Sequence, residues 1–94
     1  MAQFWGVGRL STHQSVAYTG TAGTITSAVA TGIQKVRVVC TSAAYIVIGN
    51  SPTATSAGVY VPADTPEYFS ITPGQKVSAI QVSVSGTCHV TEIT

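Results

Sequence analysis

The sequence predicts an all-β fold: a small antiparallel β-sandwich or jelly-roll-like barrel of seven to eight short strands. Three observations carry this. The apolar residues recur with a period of two in several short runs, Gly, Pro, Asn and Ser punctuate those runs at regular spacing, and the polar residues are mostly Ser and Thr, which suit strands and turns better than helices. At 94 residues there is room for one domain. A chain of that size buries only about 60–65% of the surface its unfolded form exposes, and such a domain is often marginal alone.

The centre of the pattern is Lys35–Gly49. Val36, Val38 and Cys40 alternate with Lys35, Arg37 and Val39, as expected of a half-buried strand. Tyr45–Ile48 is wholly apolar and reads as a strand buried on both faces, with Thr41–Ala44 as the turn of a central hairpin.

Before this centre, residues 1–13 read as an extended arm, because Gly6 and Gly8 interrupt the apolar Phe4, Trp5, Val7 and Leu10. The sandwich domain is expected over 14–94. It opens with a short strand through Val16 and Tyr18, a turn over Gly20–Gly23, and a strand or bulged edge from Thr24 to Thr31.

After the centre, Asn50–Gly58 is a loop and Val59–Val61 a strand. Pro62 and Pro66 bound a connection, since neither can donate to a ladder. Glu67–Thr72 places Phe69 and Ile71 toward the core and Tyr68 outward. Pro73-Gly74 has the residues of a type II turn. Lys76–Val84 is expected to be the longest strand, its core face Ile80, Val82 and Val84. Ser85-Gly86-Thr87 then turns the chain into a final hairpin strand, Cys88–Ile93.

Composition limits the function. Charged residues are 7% of the chain, against about 25% in ordinary soluble domains, while hydrophobic residues are 45%. Surfaces rich in hydroxyls and poor in charge are cheaper to desolvate, so much of this surface is expected to be covered by copies of itself or by a partner. The four basic residues, Arg9, Lys35, Arg37 and Lys76, are too few for a phosphate-neutralising patch, and no nucleic-acid ligand is expected. The opening ten residues have neither a basic lead nor an unbroken apolar run. They give the expectation of cytoplasmic synthesis and no membrane contact.

No catalytic constellation is expected. Asp64, Glu67 and Glu92 could supply paired carboxylates, and His13 or His89 could join a serine and Asp64, but no motif ties these residues together. Cys40 and Cys88 can be buried thiols, a disulfide or metal ligands with a histidine. The placement of Cys40 in line with Val36 and Val38 favours buried thiols, and the absence of a CxxC spacing argues against metal. His89 cannot readily share a ligand with Cys88, because neighbours on a strand point to opposite faces. No cofactor or metal is expected.

The run Val59–Phe69, followed by Pro73–Ile80 and then by Gly86-Thr87 with Val90-Thr91-Glu92, resembles the small all-β accessory proteins of tailed-phage virions, mostly capsid decoration or cement proteins. The resemblance covers roughly residues 35–94 and rests on structural motifs. It implies a non-enzymatic virion protein, assembled in the host cytoplasm, that binds the major capsid protein on the outside of the head shell. A homo-oligomer, dimer or trimer, fits that role. Apart from the resemblance, the apolar arm must be covered, either by its own sandwich or by a neighbouring copy or capsid subunit with Trp5 as the anchor, and on the second reading Phe4, Trp5, Leu10 and Tyr68 are the expected interface residues. The alternative is a lectin-like or tail-fibre-associated module using Trp5, Tyr18, Tyr60 or Tyr68 as stacking platforms.

Overall fold

A computed structural model describes residues 10–93. These residues form eight strands and no helix: β1 Leu10–Tyr18, β2 Gly23–Thr24, β3 Lys35–Cys40, β4 Ala44–Gly49, β5 Val59–Val61, β6 Glu67–Ser70, β7 Lys76–Gln81 and β8 Gly86–Ile93. They assemble into two antiparallel four-stranded sheets, sheet I in the order β1-β8-β3-β6 and sheet II in the order β2-β7-β4-β5.

The pairing is nested. β1 pairs with β8, β2 with β7, β3 with β6 and β4 with β5, as if one long hairpin had been rolled over a core. Every connection between consecutive strands crosses from one sheet to the other except that from β4 to β5. This is the winding of a double-sheet jelly roll, and it buries one face of every strand in a domain too small for more layers.

The central hairpin expected at 35–49 is therefore an arch. β3 pairs with β8 and β6 in sheet I, whereas β4 pairs with β7 and β5 in sheet II. The three linking residues lack the positive-φ residue on which tight hairpin turns depend. They are held from outside instead. Tyr18, at the end of β1, donates its hydroxyl hydrogen to the Ser42 carbonyl and accepts from the Ser42 N–H (3.3 Å). The expected final hairpin is likewise an arch, over residues 82–85. Ser42 Oγ lies 3.0 Å from the Val84 carbonyl and 2.8 Å from that of Ser85, and the Val82 N–H donates to Ala43 O (3.2 Å), so the two arches brace each other.

The core lies between the sheets. Val36, Val38 and Cys40 on β3 and Val90 and Cys88 on β8 face Ala44, Ile46, Val61, Val77 and Ala79 of sheet II. Phe69 packs against this cluster and Ile71 is buried in it, as alternation predicts.

Two expectations about the core are corrected. Tyr45–Ile48 is not buried on both faces: Ile46 points in, while Tyr45 and Val47 are half-exposed. The core face of β7 is Val77 and Ala79, not Ile80 and Val82. The strand also stops at Gln81, so β1 and β8 are the longer ones. Both faces of 76–84 are apolar, so alternation alone could not choose between them. The ladder to β4 decides, since Ala79 opposes the buried Ile46 and Ile80 opposes Tyr45.

The segment 24–34 is mostly irregular and follows the free edge of β7. Ile25 N–H donates to Val77 O (3.0 Å), Val29 N–H to Gln75 O (2.9 Å) and Gly74 N–H to Val29 O (3.0 Å). Only Gly23 and Thr24 form a strand, and Ile25, Val29 and Ile33 plug the open side of the core. The Pro73-Gly74 turn is as expected: Gly74 has φ 94°, and Gln75 N–H returns to Thr72 O at 3.0 Å.

Candidate functional site

The outer faces of the two sheets differ in chemistry. On sheet I the outward positions include Lys35, Arg37, His13, His89, Thr91 and Tyr68. The His13 and His89 rings stack with centroids 5.5 Å apart and 17° between planes, and His13 Nδ1 lies 3.0 Å from Thr91 Oγ1. No carboxylate shares this face among the described residues. Glu92 points inward, buried, and accepts from the Ala30 N–H (3.2 Å), Glu67 opposes the inward Val38 on β3, and Asp64 lies in the β5–β6 connection. Glu67 and Glu92 flank β3 from opposite sides, on β6 and β8. No cluster of three or more metal-ligating side chains and no pocket occurs among the described residues.

Part of the outer face of sheet II is apolar. Register places Tyr60 on β5, Tyr45 on β4 and Ile80 on β7 in one row, about 10 Å across. The tyrosine rings meet edge to face, centroids 6.1 Å apart and planes at 66°. Tyr60 is 54% exposed and Val82, the next outward residue beyond Ile80, is 39% exposed. Lys76, the charged residue of this face, stands about 13 Å along β7 from Ile80.

The other half of the face is already covered. The 50–58 loop folds over it and buries Ser78, whose Oγ accepts from the Ala54 N–H (2.9 Å) and sits 3.1 Å from Thr24 Oγ1. Thr24 Oγ1 is also 3.2 Å from the Pro52 carbonyl, tying the loop to the edge strand. In the Tyr60–Tyr45–Ile80 row Tyr60 is exposed, while Tyr45 and Ile80 are half-buried. A contiguous patch of two tyrosines and two aliphatic residues, free of charge, is the kind of surface from which protein contacts are built.

The residues expected to form an interface are distributed differently. Phe4 and Trp5 lie outside the described residues. Leu10 begins β1 at 64% exposure, paired with Ile93, so the last four residues of the expected arm run within that strand. Tyr68, 50% exposed on β6, is at the opposite edge of sheet I, about 14 Å from β1. The structure does not bring Leu10 and Tyr68 together. Tyr18 is buried and engaged with Ser42, so it is no stacking platform. Sequence reasoning missed Tyr45, Ile80 and Val82 because it assigned all three to the core. For Ile80 and Val82 the signal that could have found them is the apolar content of both faces of 76–84.

No family model, curated protein or solved structure matches this chain.

Proposed function

We propose that this protein is a non-enzymatic structural component of a virus particle, a capsid decoration or cement protein that binds the outside of a phage head shell and stabilises it. The observation that carries the reading is the uncharged Tyr60–Tyr45–Ile80 row beside Val82, in which Tyr60 and Val82 are exposed, next to a loop that buries Ser78 on the same face. Tyrosine offers a large contact area with few rotatable bonds and a hydroxyl that can stay hydrogen-bonded at an interface rim. The jelly-roll winding supports the reading weakly, since viral capsid and lectin domains both use it and fold does not fix function. The low charge fits a protein whose surface is covered in its working state, on a major capsid protein and between its own copies. Repetition over a shell lattice, or within a dimer or trimer, turns a small patch into firm attachment by avidity.

The test is co-sedimentation of purified protein with shells that lack it, with shell melting as a second readout. The wild type is expected to bind and to raise the shell's melting temperature. Tyr60→Ser with Val82→Ser is expected to keep the strand circular dichroism and lose binding. Shells bound equally by that variant would remove sheet II from the contact, and no binding by the wild type would remove the proposal. Deleting residues 1–9 in the same assay tests Phe4 and Trp5: lost binding with unchanged melting of the free protein assigns them to the interface. Binding of immobilised saccharides in place of shells would favour the lectin-like alternative.

A further inference from the structure

We propose that Cys40 and Cys88 are a built site for a reversible intramolecular disulfide, an oxidative cross-link between β3 and β8 in the core. The site is independent of the contact surface described above.

Cys40 and Cys88 are register partners in the antiparallel β3–β8 ladder. One position further on, the Thr41 N–H donates to Thr87 O at 3.0 Å, which makes Thr41 and Thr87 the hydrogen-bonded pair. Alternation along an antiparallel ladder then makes Cys40 and Cys88 a non-hydrogen-bonded pair, where Cα atoms approach to about 4.5 Å. That separation lies within the range of about 4.4–6.8 Å that a disulfide spans, so closure needs side-chain rotation and little backbone movement. Both residues point into the sandwich and neither is exposed to solvent. Both are free thiols.

The two sulfurs are chemically unequal. Hydrogen bonding with Cys88 lowers the Cys40 pKa, and burial opposes the effect. Cys88 is pushed the other way, by donating that hydrogen bond and by burial. Cys40 also ends β3 beside the 41–43 arch, whereas Cys88 lies within β8, so Cys40 is the attacking sulfur and Cys88 the resolving one.

The oxidant is a peroxide, small enough to enter when the 41–43 and 82–85 arches open locally. The Cys40 thiolate attacks one oxygen of hydrogen peroxide, the O–O bond breaks and the departing hydroxide takes up a proton to leave as water. The product is Cys40 sulfenic acid. The Cys88 sulfur then attacks the Cys40 sulfur, the S–S bond forms, the S–O bond breaks, and the Cys88 proton leaves with the hydroxyl as a second water. Two thiols lose two electrons in all, and one peroxide is reduced to two waters.

The experiment treats the reduced, native full-length chain with hydrogen peroxide, quenches, denatures without reductant and alkylates with iodoacetamide. Before oxidation two adducts are expected. Afterwards there should be none, with a mass lower by about two units for the two hydrogens lost. The protein should migrate as a monomer on a non-reducing gel, and dithiothreitol should restore both adducts. The bond closes a loop of roughly 50 residues in the unfolded chain, so the oxidised form should melt about 15–30 °C higher. Cys88→Ala, with its resolving sulfur removed, should instead accumulate a Cys40 sulfenic acid that dimedone traps. Two alkylatable thiols surviving in the wild type, a disulfide between two chains, or a lower melting temperature on oxidation would each overturn the proposal. The first readout uses the wild type, so it stands even where the alanine variant fails to fold.

Discussion

Val77→Ala against Val82→Ala is the sharpest test of how the chain is wound. The two residues lie on one run of sequence with opposite parity around Ala79, and they differ by one methylene-scale choice of face. Val77 has no solvent exposure, packs in the central cluster and opposes Ile48 across the ladder, whereas Val82 is 39% exposed beyond the end of β7. Truncating Val77 removes two methyl groups, about 1.6 kcal/mol of transfer free energy at ~0.8 kcal/mol each. A residual cavity of up to ~50 Å³ adds about 1.2 kcal/mol at ~24 cal/mol per Å³. The expected loss is about 2–3 kcal/mol, or a fall in melting temperature of roughly 8–20 °C in a domain of this size. Val82→Ala keeps its backbone bond to Ala43 and gives up contacts on one side only, so its loss should stay below about 1 kcal/mol. Urea unfolding followed by circular dichroism measures both, with unchanged m-values showing that stability and not denatured-state compactness has moved. Equal losses, or a larger loss at Val82, would mean that the β4–β7 register is off by one residue.

Other outcomes follow from the arches and the glycines. Tyr18→Phe keeps the buried ring but strips the Ser42 N–H and carbonyl of their partner, and should cost about 1–3 kcal/mol in the same denaturation assay; a loss within error of zero would mean that the arch is held by something else. Gly23→Ala should be severe, about 3 kcal/mol or more, because its Cβ would lie 2.1 Å from the Ala17 carbonyl oxygen, in backbone that cannot step aside cheaply. Gly74→Ala meets no atom within 4 Å and pays only for the left-handed backbone at φ 94°, about 1–2 kcal/mol, so melting should rank wild type above Gly74→Ala above Gly23→Ala, and the reverse order of the two variants would contradict the close approach of β1 and β2.

What the sequence determined by itself was everything that depends on near neighbours in the chain. The alternation of Val36, Val38 and Cys40 with Lys35, Arg37 and Val39 set the buried face of β3, the prolines at 62 and 66 set a connection, and Pro73-Gly74 set a turn whose glycine does take a positive φ. All-β class and strand number follow from those local preferences added up. Tertiary structure decided which sheet each strand joins, and through that which apolar face stays wet. A three-residue link such as 41–43 reads the same as a hairpin or as an arch. It became an arch because Tyr18, from β1, fills the hydrogen-bonding capacity of Ser42, and because β8 and β7 supply partners for β3 and β4 in different layers. The same winding turned Tyr45, Ile80 and Val82 outward and set Cys40 against Cys88. These are long-range pairings, and periodicity within one strand carries no information about which distant strand its ladder will meet.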